Sequence, residues 1–319
     1  MTAIPSDSLV TIFGGSGFLG RHIVRALAND GWRIRAVMRK PNTAHFLLPM
    51  GRVGQIQLLK ANVRDDGAVD AALRGAHAAV NLIGILSQSG SQKFHALHAE
   101  GAERIAQRAA AHGVARLLHV SALGASLDSP SLYARTKAQG EERVRRAFPS
   151  ATIFRPSIVF GPEDDFFNRF AWLARLSPAL PLIGGGHMAF QPVYVGDVAD
   201  AARRVLSDAA TGGKTYELGG PEAMTLKAVM RLVLKETHRK RLLVPVPFPM
   251  ARIQAAVLGL LPKPMLTLDQ LRMLERDNVV SDGALTLKDI GILPTAAEAI
   301  IPSYLWRFRK HGEFEPVAP

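Results

Sequence analysis

Val10-Thr11-Ile12-Phe13-Gly14-Gly15-Ser16-Gly17-Phe18-Leu19-Gly20 is the stretch on which the fold turns. Leu9–Phe13 reads as a short apolar strand, the glycines follow, and a helix is expected from Phe18 to Asn29. Gly15-x-Gly17-x-x-Gly20 therefore stands after a strand, opens a helix and begins a strand–helix–strand unit. That context turns a weak glycine pattern into a dinucleotide signature. Early glycines permit a tight turn, Gly17 admits a pyrophosphate to the backbone, and Gly20 permits close helix–sheet packing. The free N–H groups of the helix start then face the anion. A β–α turn without ligand is the plainer reading, and the complete strand–turn–helix setting weighs against it.

The end of the next strand separates the two nicotinamide cofactors. An NAD site places an acidic residue there, about twenty residues on, to accept from the ribose hydroxyls. Val37-Met38-Arg39-Lys40 offers no carboxylate but two cations, which suit the 2′-phosphate of NADP(H) through charge-assisted bonds. A solvated basic loop is the alternative for Arg39 and Lys40.

Composition narrows the class. No cysteine occurs in 319 residues, so disulfides, thiolate zinc sites and cysteine nucleophiles are out. A formal charge of +12 favours acidic partners such as anionic lipid, an acidic protein surface or phosphorylated ligands. Nucleic acid is not expected, because the cations are scattered and no recognition motif appears. Met1 to Ser8 is short and polar, so neither a secretory signal nor a presequence is expected. Ala251 to Leu261 is apolar but too short to span a bilayer.

Along the chain, further strands are expected at Arg33–Met38, within Ile56–Val63, and at Ala78–Ile83, Arg116–Ser121, Thr152–Val159 and Lys214–Leu218. Helices are expected at Ala68–Leu73, Phe94–Ala111, Leu132–Ala147, Phe166–Leu176 and Val198–Leu206. The alternation predicts an α/β fold, a Rossmann-type doubly wound parallel sheet over residues 1–220. From Pro221 proline-rich joints separate helices, read as a smaller, mostly helical cap and docking region over 221–319.

Several segments resemble the extended and atypical short-chain dehydrogenase/reductase family along most of the chain. Asn62-Val63 is similar to the adenine-contacting pair, and Val80-Asn81-Leu82-Ile83-Gly84 to the fourth-strand segment that passes beside the cofactor. Tyr133-Ala134-Arg135-Thr136-Lys137 matches the family's Tyr-x-x-x-Lys. Arg155-Pro156-Ser157-Ile158-Val159-Phe160-Gly161-Pro162 matches the approach to the nicotinamide, and Gln191–Ala199 a later signature. Four residues apart on a helix, Tyr133 and Lys137 share a face. The ammonium is expected to lower the tyrosine pKa and to bond the nicotinamide ribose. The family usually has paired hydroxyls after the fifth strand. Here Ser121 is followed by Ala122, so the catalytic hydroxyl position falls on one or the other. The resemblance thus implies Tyr133, Lys137 and Ser121 as reaction-centre residues, vestigial or ribose-binding. It implies Gly14, Gly15, Ser16, Gly17, Phe18, Leu19, Gly20, Arg39, Lys40, Asn62, Val63, Leu82, Ile83, Gly84, Pro156, Ser157 and Ile158 as cofactor-binding, and no metal.

Gly17–Arg21, Asn81–Gly84, His119–Ser121, Lys137–Glu141, Phe160–Asp164, Gln191–Val195 and Leu287–Ile292 are similar to one branch of that family. These are the NADPH-binding accessory subunits of respiratory complex I, the NADH:ubiquinone oxidoreductase. The resemblance implies a nucleotide held structurally and partners among complex I subunits, close to the junction of peripheral arm and membrane. The location implied is the cytoplasmic side of a bacterial inner membrane, or the matrix side in a mitochondrion. Pro247–Pro264 and Tyr304–His311 combine apolar or aromatic residues with cations and suit an anionic lipid surface; a core helix and a basic surface are their plainer readings. Two other functions stay open: an NADPH-dependent oxidoreductase or nucleotide-sugar epimerase or dehydratase using Tyr133 and Lys137, and a nucleotide-sensing regulator. His95 and His98 are expected on one helix face without a third metal ligand. Glu163–Asp165 reads as a solvated acidic loop, and Asp197 as the cap of the helix after it.

Overall fold

A computed structural model describes residues 8–258 and 266–312. Two compact units are drawn from interleaved stretches of chain. The first comprises Met1–Pro156, Gly196–Leu218 and Asp282–Ile292; the second comprises Ser157–Val195, Gly219–Ser281 and Leu293–Pro319.

In the first unit β1 (Leu9–Phe13), β2 (Arg33–Met38), β3 (Ile56–Lys60), β4 (Ala78–Asn81), β5 (Arg116–Val120) and β6 (Thr152–Pro156) join the strand Thr215–Leu218 in one sheet. The spatial order is Thr215–Leu218, β6, β5, β4, β1, β2, β3. Every pairing is parallel. The chain therefore winds outward from β1 in both directions, the doubly wound pattern whose switch point falls between β1 and β4. Val10, Ile12 and Phe13 are fully buried, as a strand covered on both faces requires. Between the strands run α1 (Phe18–Asn29), α2 (Asp66–Leu73), α3 (Gly101–Ala111) and α4 (Leu132–Ala147). Phe13, Leu73, Ile105 and Leu117 join one core cluster that includes residues of α2, α3 and α4. Asp65 caps α2 by accepting from Ala68 N–H, and Ser131 caps α4 by accepting from Ala134 N–H.

Several boundaries move from their expected places; β4, for one, ends at Asn81 rather than Ile83. β6 stops at Pro156, which has no N–H to extend a ladder; Val159–Phe160 pairs instead with Val193–Tyr194. The helix expected from Val198 starts at Val195, so Asp197 lies in its first turn rather than ahead of it, where its charge still suits the dipole. Between Phe94 and α3 the residues His95–Glu100 form a π-helical turn. Its wider i→i+5 bonding separates residues three apart. His95 is exposed and paired with Glu100 at 3.0 Å, whereas His98 is buried.

In the second unit Phe160, Phe167, Val229, Val233, Ile301 and Leu305 form a core. The proline-rich stretches build a parallel ribbon of Ala179–Ile183 with Leu242–Val246. Pro181 and Pro245 are tolerated there because a two-stranded ribbon leaves each strand an unpaired edge. The acidic run is not wholly solvated. Asp164 is buried, accepting from Gly161 N–H (3.1 Å), Asn168 N–H (3.2 Å) and the Tyr304 hydroxyl (2.7 Å). Burial pushes its carboxyl upward despite these bonds.

Candidate functional site

At the carboxyl end of β1 the chain turns through Gly14, whose φ of 85° favours glycine. Gly14 N–H donates to Val37 O, and Gly17 N–H donates back to Gly14 O, each at 3.0 Å. Gly20 is required for another reason. A Cβ there would run into the Gly14 carbonyl oxygen and lie 2.7 Å from the Gly15 carbonyl carbon. α1 thus begins directly against the turn, with Gly17 as N-cap, no side-chain cap and no acidic residue in its first turn. Such an end attracts an anion. Ser16, Phe18 and Leu19 are half-buried around it.

The other strand ends meet this turn. Arg39 and Lys40 lie exposed just past β2, and Ala61 N–H donates to Met38 O, bringing Asn62 and Val63 to the same edge. The Asn62 side-chain oxygen accepts from Arg64 N–H and Nε–H (3.2 and 3.4 Å). Leu82 N–H donates to Phe13 O (3.0 Å) and Ile83 N–H to Asn81 Oδ1 (3.0 Å), so Leu82–Gly84 runs beside the glycine turn. Pro156 ends β6 and accepts from Leu123 N–H. Ser157 and Ile158 belong to the second unit, where the Ser157 hydroxyl bonds Asn278 Oδ1 (2.6 Å) and Ile158 O accepts from Val193 N–H.

Ser121, Tyr133 and Lys137 come together in the first unit with His98 and His119, neither of which the sequence marks as a site residue. Lys137 is 4% exposed and donates to Val120 O at 3.1 Å. Burial pulls its ammonium down to about 8, opposed by the Glu141 carboxylate. Glu141 is itself held by Arg155 in a bidentate pair, Nε at 2.9 Å and Nη2 at 2.7 Å from its oxygens. Tyr133 stands edge-on to Phe94 and His98. The expected lowering of its pKa does not occur. Burial pushes the phenol up to about 12, and Lys137 is not among the causes; its ammonium is directed at the strand carbonyl.

His119 on β5 accepts at Nδ1 from Asn81 Nδ2 (3.1 Å), because the Asn81 oxygen already takes Ile83 N–H. Burial and then Lys137 pull its imidazole down to about 3. Strand alternation puts Ser121 on the face of His119 and turns Ala122 to the other. The Ser121 Oγ and His119 Nε2 are buried without a protein partner, an arrangement that costs free energy unless a polar group meets them. In the sequence His98 reads only as a helix-face histidine without a third metal ligand, and His119 only as part of the His119–Ser121 segment, since burial is not visible before the fold exists. Among the described residues no cluster of three or more ligating side chains forms a metal site.

These features fit the dinucleotide that the resemblance implies: a glycine cradle that a Cβ would fill, a helix start without an acidic residue, and an orphaned Ser121 hydroxyl.

The chain is similar to known proteins. Residues 10–219 match the model of the NAD dependent epimerase/dehydratase family. The chain is 38% identical to NADH dehydrogenase (ubiquinone) 1 alpha subcomplex subunit 9, mitochondrial, of Arabidopsis thaliana, across 96% of this chain and 79% of that protein. The Mus musculus protein of the same name is 33% identical across 98% and 85%. In fold it is similar to dTDP-glucose 4,6-dehydratase DesIV from Streptomyces venezuelae, solved with NAD and TYD bound. That match has a TM-score of 0.72 at 20% identity and covers 97% of this chain and 99% of the other.

Proposed function

The chain belongs to the NAD dependent epimerase/dehydratase family, and from that premise we propose that it is an NADP(H)-binding accessory subunit of respiratory complex I, with the nucleotide held structurally. The observation that carries this reading is the match along 96% of the chain to a subunit of NADH dehydrogenase (ubiquinone). The diphosphate rests on the glycine turn and the start of α1. Arg39 and Lys40 receive the 2′-phosphate, Asn62 and Val63 flank the adenine, and Leu82–Gly84, Ser121, Tyr133 and Lys137 hold the nicotinamide ribose. Bound NADPH supplies a transferable hydride. A general acid or base works best with a pKa near the operating pH. A phenol pushed up to about 12 and an ammonium tied to Val120 O suit holding more than proton transfer.

The second unit supports a position against an anionic membrane surface. On the helix Phe248–Leu258 the small residues Ala251 and Ala255 are buried, while Met250, Ile253 and Val257 are exposed, Ile253 at 68%. Their spacing of three and four places them on one face. Leu242, Val244, Trp172 and Leu176 of the same unit are exposed as well. Residues 259–264 of the Pro247–Pro264 segment lie outside the described residues. Tyr304–His311 contributes less surface. Tyr304 and Leu305 are buried, Arg307 donates to Pro162 O, and Arg309 donates to Glu236 O. No helix among the described residues is long and apolar enough to cross a membrane. The proposed place is peripheral, on the cytoplasmic side of a bacterial inner membrane or the matrix side in a mitochondrion.

Gentle solubilisation of membranes, capture of the chain and mass analysis of what comes with it test the proposal. NADPH and NADH dehydrogenase subunits are expected in the captured material. Recovery from the membrane fraction is expected to fall when Ile253 and Val257 are both changed to Asp. A free chain carrying neither nucleotide nor partner rejects the reading.

A further inference from the structure

The turn that leads from β4 into the nucleotide site is tied down by donated N–H groups. Leu82 N–H goes to Phe13 O and Ile83 N–H to Asn81 Oδ1, and Ile85 N–H goes to the imidazole of His98 at 3.1 Å. His98 is 1% exposed and held at its other nitrogen too, with Nδ1 3.1 Å from Thr136 Oγ1. Thr136 in turn donates to Tyr133 O at 3.0 Å. The bonds have one consistent direction. Nε2 accepts from Ile85, so Nδ1 carries the proton and donates to Thr136, whose own hydrogen is directed at Tyr133 O. The ring is also stacked on Phe94 with centroids 5.3 Å apart and meets the Tyr133 ring edge-on at 5.3 Å. Between these groups the loop has no room to spare: a Cβ on Gly84 would lie 3.3 Å from Lys137 Nζ.

We infer that His98 is a positioning residue for the nucleotide site: as a neutral, single-tautomer imidazole it bolts the loop Leu82–Ile85 to the helix that carries Tyr133 and Lys137, setting the spacing of the two walls that receive the nicotinamide ribose. The inference rests on the nucleotide-binding reading of the site. His98 touches no reacting atom in this role. It acts through Ile85 on one side and Thr136 on the other, and the π-helical turn His95–Glu100 that carries it turns the imidazole inward.

Three variants separate the bonds from the ring. His98→Phe keeps the aromatic stacking and removes both hydrogen bonds. His98→Gln keeps an acceptor for Ile85 and a donor for Thr136 at similar separation. Thr136→Val removes the far anchor. Two quantities are read: amide hydrogen exchange at Ile85 without nucleotide, and NADPH affinity by calorimetry. For His98→Phe we expect fast exchange at Ile85 and roughly tenfold weaker NADPH binding, the loss of one to two buried hydrogen bonds. His98→Gln should retain protection and bind within about threefold of the unaltered chain. Unchanged exchange and affinity in His98→Phe overturn the inference, and so does a His98→Gln as weak as His98→Phe, because the ring rather than its bonds then matters. If His98→Phe does not fold, Thr136→Val decides: an unaltered Ile85 exchange rate and NADPH affinity overturn it, and a loss of both supports it. If the unaltered chain binds neither NADPH nor NADH, the nucleotide reading fails, while the exchange at Ile85 still reports on the bolt itself.

Discussion

Lys137 and the two histidines beside it show how burial, rather than residue type, sets the chemistry of this site. His98 falls to about 2 and His119 to about 3 from an ordinary 6.5, desolvation being the first cause and Lys137 the second. Unfolding exposes both imidazoles, which then take up protons that the folded state refuses. Their folded pKa values lie below the unfolded one, so this part of the stability is complete above pH 6.5 and is lost as pH falls towards about 3. The slope is at most about 1.4 kcal/mol per pH unit for each histidine. Urea titrations at stepped pH should show the decline, and changing His98 and His119 together to Gln should flatten it. A profile that keeps its slope in the double variant assigns the acid sensitivity elsewhere. Arg39 works at the opposite extreme, exposed at the end of β2 with no carboxylate beside it along the chain. Arg39→Asp is expected to weaken NADPH by at least about tenfold more than NADH, since it replaces attraction for the 2′-phosphate with repulsion. Equal losses for the two nucleotides in calorimetry would show that Arg39 does not read the phosphate.

At the scale of elements, α1 and the glycine turn behave as one rigid part. The start of the helix is close enough to the turn that Gly20 cannot carry a side chain without moving the Gly14 carbonyl or the Gly15 backbone. Gly20→Ala should cost on the order of 1–3 kcal/mol, as overpacking against backbone generally does, and should abolish nucleotide binding by shifting the N–H groups that face the diphosphate. Thermal melting with and without NADPH checks both. A variant that melts normally and is still stabilised by NADPH would show that the contact can relax. α4 reads differently. Its boundaries, its Ser131 cap and the pairing of Tyr133 with Lys137 on one face follow from local spacing, whereas the direction of the Lys137 ammonium follows from where β5 lies.

Taken as a whole, the molecule forms two compact units that do not follow chain order. Asp282–Ile292 returns to the first unit, where Glu217 N–H donates to Leu285 O (2.8 Å) and Arg204 bonds the carbonyls of Ile290 and Gly291. The division into residues 1–220 and 221–319 remains our proposal for the two functional regions, nucleotide holding and docking. A charge of +12 over the chain raises the encounter rate with any acidic partner. In the proposed docking, the exposed apolar residues of the Phe248–Leu258 helix supply the short-range part of such a contact.

From its sequence alone this protein's strand–helix alternation, glycine turn and cationic β2 end could be read. Each depends on local periodicity, glycine sterics or charges adjacent along the chain. Tertiary structure alone decided that the Lys137 ammonium meets the Val120 carbonyl, that burial pushes Tyr133 up rather than down, and that His98 joins the β4 loop to α4. Ile85 and His98 are 13 residues apart, and His98 and Thr136 are 38. Burial and electrostatic partnership between such residues arise only when the sheet brings their strands together, because desolvation is a property of the packed surroundings and not of the residue.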